Sequence, residues 1–185
     1  EGGVRPLTPA FAEAINKASA TTGALVIADE IQCGLGRTGH PFHFATLGLK
    51  PHLCSVGKAL GGGVPVGAAI LSDEVAQTIS FGDHGSTYGG NLLACRAALV
   101  FLDQLVSGGL LAHVNQMGRF FESRLKAIAA TRPIVKEVRG QGLIWGLDLN
   151  RDAAAVVPAA LARRVVVNRT AETVVRPPHA AARTT

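Results

Sequence analysis

Five consecutive apolar residues, Ala24-Leu25-Val26-Ile27-Ala28, run without a break into two carboxylates, Asp29-Glu30. A run this short reads as a strand, and its lack of polar alternation is that of a strand buried on both faces of a parallel sheet. Upstream, Thr8-Pro9 starts a helix with proline in its first turn. Phe11, Ala14, Ile15 and Ala18 recur at helical spacing, and Gly23 ends the run. Residues 53–56 and 66–71 read as two more short strands, each leading into a polar or glycine-rich stretch. The expected fold class is α/β, with acidic groups delivered to the carboxyl end of a strand, where open α/β sheets bind ligands.

Further along, Asn91 caps a helix reaching about residue 106, after the polar stretch 82–90. A following helix puts Leu110, Val114, Met117, Phe121, Leu125 and Ile128 on one stripe, which is core packing, and Pro133 closes it. Residues 134–139 and 143–149 alternate as the arms of a hairpin around Gly140-Gln141-Gly142. A helix over 153–164 and strands over 165–167 and 173–176 complete the tail. The chain should therefore divide near Gly108-Gly109, with an α/β part over 1–107 and a small α+β part over 108–185.

Composition narrows the functional classes. With 48% hydrophobic and 17% charged residues among 185, the chain can build a core and is not of disordered type. No apolar stretch approaches the roughly 20 residues of a membrane-spanning helix, so no membrane is expected. The opening Glu1-Gly2-Gly3-Val4-Arg5-Pro6 shows neither Met nor a signal pattern, and reads as the interior of a longer polypeptide. Cys33, Cys54 and Cys95 form no C-x-x-C pair, which speaks against a disulfide framework or a zinc site and fits a reducing, cytoplasmic setting. The net charge of +5 is scattered except for arginines near the C-terminus, and aromatics make up only 5%. That is too sparse a set of rings for a base-stacking platform, so no nucleic-acid partner is expected.

Three familiar motifs fail on context. Gly34-Leu35-Gly36-Arg37-Thr38-Gly39 matches G-x-G-x-x-G, but Pro41 follows instead of a helix and no acid stands about 20 residues on. Gly57-Lys58 lacks the Ser or Thr and the upstream glycine of a phosphate loop. Ser86 is not framed by the glycines of a nucleophile elbow. What remains is Lys58, at the end of an apolar strand and followed by Ala59-Leu60-Gly61-Gly62-Gly63. Apolar neighbours would strip water from its amine and favour the neutral, nucleophilic form, and the glycines would admit a planar partner close to the backbone. A solvated loop lysine is the plain alternative. Asp29 strengthens the chemical reading, because a Schiff-base lysine and an aspartate facing a pyridinium nitrogen are the protein parts of a pyridoxal phosphate site. Residues 84–91, His-Gly-Ser-Thr-Tyr-Gly-Gly-Asn, combine hydroxyls with a helix start and could bind an anion, or could be a solvated turn.

Taken together, Glu1-Gly2-Gly3-Val4, Asp29-Glu30-Ile31-Gln32 with Gly36-Arg37-Thr38-Gly39, Gly57 to Gly63, His84 to Asn91 with Ala94-Cys95, Gly140 to Gly142, and Val167 to Thr170 resemble the class III aminotransferases in family order. Within that family the acetylornithine branch is the most similar. The resemblance implies the fold-type I scaffold, specifically the C-terminal part of its mainly parallel-sheet large domain followed by the small α+β domain. It implies pyridoxal 5'-phosphate as cofactor, and amino transfer from N-acetylornithine to 2-oxoglutarate in arginine biosynthesis. Lys58 would hold the cofactor covalently and carry the proton between the substrate carbon and the cofactor. Asp29 would pair with the ring nitrogen, Gln32 would lie near the ring oxygen, and Glu30 and Ile31 would complete that cofactor-binding turn. Thr87 would bind phosphate in the neighbouring subunit of a homodimer, with Ser86 beside substrate. Glu1 would stand near the substrate and pair with Arg176, whose counterpart grips a substrate carboxylate.

The chain is shorter than the family on its N-terminal side and lacks the other half of the phosphate cradle. After Arg176, Pro177-Pro178 come early, and His179 to Thr185 follows no family pattern. The ornithine, succinyldiaminopimelate and 4-aminobutyrate aminotransferases of the same family, or a fragment serving only dimerisation, are the competing readings.

Overall fold

Residues 27–29 pair with 53–56 as parallel strands, and 53–56 with 68–71 as antiparallel ones. In the computed structural model, which describes residues 2–177, this three-stranded sheet belongs to one compact unit spanning Leu7–Leu111. The described residues 2–6 join those from 112 onward in the second unit. The division thus falls after Leu111, where 107 was the sequence expectation.

The first unit opens with α1 (Pro9–Thr22), whose local chemistry follows the sequence closely. Thr8 accepts a hydrogen bond from the Phe11 N–H at 3.2 Å, Pro9 sits in the first turn, and Gly23 ends the helix at φ +72. Its buried residue, however, is Ala12 rather than Phe11, which is 58% exposed. Then come β1 (Ile27–Asp29), α2 (His43–Thr46), β2 (Leu53–Val56), a 3-10 turn (Lys58–Gly61), β3 (Ala68–Leu71), α3 (Asp73–Ala76) and α4 (Leu92–Val106). The expectation of burial on both faces of β1 does not hold. Ala28 enters the core with Leu35, Cys54, Val56, Leu60 and Leu105, whereas Leu25 is 55% and Ile27 66% exposed. β1 is an edge strand whose outward face borders an apolar groove of about 550 Å³, lined in part by Ile15, Phe44, Leu47 and Leu49.

Residues 31–41 form tight turns, mostly buried from Gly34 to Gly39. Gly36 explains their path: at φ +88, a Cβ there would lie 2.6 Å from Leu105 on α4, so the turn packs against that helix instead of cradling a phosphate.

The second unit contains most of α5 (Leu110–Thr131) and an antiparallel sheet of order β4-β5-β7-β6, made of Val135–Gln141, Ile144–Leu149, Val174–Arg176 and Asn168–Ala171. The expected stripe on α5 buries Val114 and Leu125, while Ile128 remains 45% exposed. The hairpin forms with Gln141 opposite Ile144, and Gly140 allows it, since a Cβ there would meet the Ile144 carbonyl. The tail differs in detail. α6 covers only Val156–Leu161, without a side-chain cap, and Arg164 at φ +61 turns the chain away. β6 is Asn168–Ala171 rather than 165–167, because its register is set by pairing Asn168 with Arg176 across the turn at 172–173.

Candidate active site

The carboxyl ends of β1 and β2 carry the groups that the sequence singled out. Asp29 lies opposite Ser55 in the parallel register, one strand spacing away, about 4.8 Å. Its Oδ1 accepts from the Ser55 hydroxyl at 3.2 Å and from the Ile31 N–H at 3.0 Å. These two bonds fix the carboxylate plane, and Oδ2 has no hydrogen-bond partner among the described residues. Ser55 is a positioning group that sequence reasoning missed; only the strand register could have revealed it.

Lys58 begins the turn that leaves β2. Leu60 and Gly61 anchor that turn in the core, while Lys58 itself takes φ +46. A left-handed lysine is held in place by its surroundings at a cost of order 1 kcal/mol. The expected desolvation is absent: Lys58 is exposed, whereas Leu60 of the same turn is buried. The amine has no ion-pair or hydrogen-bond partner among the described residues. Gly57 brings the two strand-end turns together, since a Cβ there would lie 3.6 Å from the Ile31 side chain. Ile31 is thereby placed over the entry to the Lys58 turn.

Glu30 is spent otherwise. Its carboxylate, 3% exposed, accepts from the His43 N–H at 2.9 Å and the Phe44 N–H at 2.8 Å, satisfying two free donors at the start of α2. Its side chain is a structural cap, and only its backbone faces the turn. Gln32 is half-buried. Cys33 is no nucleophile: burial, reinforced by Glu30, pushes its thiol up to about 12.

Residues 82–93 are exposed throughout. Ser86 Oγ accepts from the Gly89 N–H at 2.9 Å, and Asn91 caps α4 by accepting from Ala94 at 2.9 Å. Thr87 is exposed, and no contact joins it or Ser86 to Asp29 or Lys58 among the described residues. Arg176 lies in the other unit, 7% exposed on β7, and Glu1 lies outside the described residues, as does everything beyond Pro177.

A carboxylate oxygen at the end of β1 and a primary amine in the turn that leaves β2, both without a partner among the described residues, suit a ligand that is both cationic and carbonyl-bearing. Pyridoxal 5'-phosphate has both groups, a protonated ring nitrogen and an aldehyde. Gly62 and Gly63, beside Lys58, have open space where a Cβ would point. The donor set therefore fits that cofactor.

Comparison with known proteins places the chain. Residues 1–180 match the class-III aminotransferase family, and the chain belongs to it. That match runs through residue 180, past the point where the family pattern was expected to stop. Members of this family use pyridoxal 5'-phosphate and share the fold-type I scaffold. Over 179 residues the chain is 38% identical to the acetylornithine aminotransferase of Methanocaldococcus jannaschii, covering 95% of this chain and 44% of that protein. Among solved structures, the N-acetylornithine aminotransferase of Stenotrophomonas maltophilia matches with a TM-score of 0.83 and 32% identity, over 95% of this chain and 47% of that one. The ornithine delta-aminotransferase of Plasmodium falciparum matches with a TM-score of 0.85 and 30% identity, over 95% and 46%. The chain thus spans less than half the length of these relatives.

Proposed function

We propose that this chain supplies the lysine and the ring-facing carboxylate of a pyridoxal-phosphate aminotransferase that moves an amino group from N-acetylornithine to 2-oxoglutarate in arginine biosynthesis. The observation that carries the reading is the placement of an Asp29 oxygen and a Lys58 amine, both without a partner among the described residues, at the ends of the adjacent strands β1 and β2. When bound, the cofactor supplies an electron sink for the carbanion formed at the amine-bearing carbon. Asp29, held by Ser55 and Ile31, presents its negative charge to the ring nitrogen and keeps the proton there. Lys58 holds the cofactor through its amine, then serves as the base that removes and returns the substrate proton. Ile31 and Gln32, in the turn after β1, would complete the residues that hold the cofactor, with Gln32 near the ring oxygen.

Ser86 contacts substrate, and Thr87 serves the phosphate of a second copy's site. The exposed Phe81, Tyr88, Leu92 and Leu93 around that loop support such a homodimer. Arg176 binds a substrate carboxylate with Glu1 nearby. Among the described residues no single helix is long and apolar enough to cross a membrane. The setting proposed for this chemistry is cytoplasmic.

Borohydride reduction of the full-length enzyme with its cofactor, followed by peptide mapping, tests the assignment. The expected label is on Lys58; label on another lysine overturns it. By itself a 185-residue chain, spanning less than half the length of its relatives, should bind the cofactor weakly and turn over poorly. The likeness to the Plasmodium ornithine aminotransferase favours ornithine as the second candidate donor, and comparing kcat/KM for the two donors decides between them.

A further inference from the structure

One side of α4 packs into its own unit and the other is bare. Ala94 and Leu105 are buried, and Ala98, Phe101 and Leu102 pack against the core cluster that contains Leu105. Leu92, Arg96, Leu99, Val100, Asp103 and Val106 follow one another at steps of three and four, so they share the opposite side. The four apolar members are each 49% exposed or more. A helix side turned to solvent is ordinarily polar. This one is mostly large apolar side chains, with a single cation and a single anion set among them.

Those two charges make no ion pair among the described residues. Seven positions of helix, about 10 Å along the axis, keep Arg96 and Asp103 from each other, whereas helix neighbours that pair stand three or four apart. Their spacing has a second property. Arg96 and Asp103 lie equally far on either side of the midpoint between Leu99 and Val100, and Leu92 and Val106 nearly so. A twofold axis through that midpoint, perpendicular to the helix, sets two copies of α4 antiparallel. Arg96 of each copy then meets Asp103 of the other, Leu99 meets Leu99, Val100 meets Val100, and Leu92 meets Val106. Parallel packing would oppose Arg96 to Arg96 and Asp103 to Asp103, and like charges so placed repel.

We propose that the outer face of α4 is where a second copy of this chain docks, helix against helix and antiparallel about Leu99-Val100. The inference rests on the reading of the enzyme as a homodimer and names the surface that joins it. The loop bearing Ser86 and Thr87 runs through Asn91 into α4, so this contact also anchors that loop at the interface.

Charge exchange in the full-length enzyme, read by sedimentation velocity, tests the register. Arg96→Asp puts two acids on the face and Asp103→Arg two bases; each should raise the dimer dissociation constant about tenfold or more. Mixing the two variants should restore the dimer, as should Arg96→Asp with Asp103→Arg in one chain. Cys95 is exposed on the same helix. In a Cys95→Ser background, Val100→Cys should cross-link to a dimer under mild oxidation, and the background alone should not. A dimer that withstands both single exchanges, with no cross-link at position 100, overturns α4 as the contact while leaving the homodimer standing. Weakening by both exchanges without rescue in the mixture overturns the antiparallel register and the proposal with it. A monomeric full-length enzyme overturns the homodimer reading itself.

Discussion

Around Asp29 and Lys58, a carboxylate oxygen and an amine stand at the ends of two parallel strands with no partner among the described residues. Around Arg139, each donor arm meets a carboxylate or backbone carbonyl within 3.0 Å. Both places gather charge, yet only one completes its electrostatics inside the chain. Buried charge must be answered by the protein, because the cost of leaving it unpaired is several kcal/mol. Exposed charge can wait for a ligand, and an oriented but unanswered pair is what a cofactor site requires before binding. The contrast separates groups held for stability from groups held for chemistry.

Replacements should respect that division. Lys58→Ala should lower turnover of the full-length enzyme by roughly 10²–10⁴-fold, as expected on losing the proton-transferring group, with an unchanged melting temperature. Arg139→Met should do the converse to stability, costing about 1–3 kcal/mol because the half-buried Asp148 carboxylate and the Gly3 and Val4 carbonyls lose their donor, as read in urea melts. Asp29→Ala should cost about 3 kcal/mol in the chemical step, read as kcat, and little stability. Stability that fell instead would erase the contrast. Glu30→Gln should destabilise by about 1 kcal/mol through its weaker cap on α2, leaving cofactor affinity nearly untouched.

The smallest effect concerns pH. The Thr173 hydrogen bond, with Arg139 beside it, lowers Asp148 from its ordinary value of 3.8. Its contribution is therefore fully present above that value and is lost as pH falls through the lower native one. Asp148→Asn should flatten the melting-temperature profile on the acid side, and an unaltered slope would show that Asp148 is not the group titrating.

Legibility in the sequence followed the range of the interactions. α1 was readable to the residue because Thr8, Pro9 and Gly23 act on backbone groups within one turn of themselves. The hairpin at 140–142 and the cap at Asn91 were readable for the same reason. Ser55 and Arg139 were not, since one is defined by register between strands and the other by contacts 135 and 136 residues apart in sequence. The exposure of Ile27 was missed because an apolar run reports what a strand can bury, not what is there to cover it.

The order of residues alone determined which groups are available: a carboxylate ending one strand, an amine ending the next, glycines beside it, and the family these imply. Tertiary structure decided their state. It turned Glu30 inward to α2 and left Asp29 outward on the same strand end, because adjacent residues of a strand point to opposite faces and only one face had a helix terminus to satisfy.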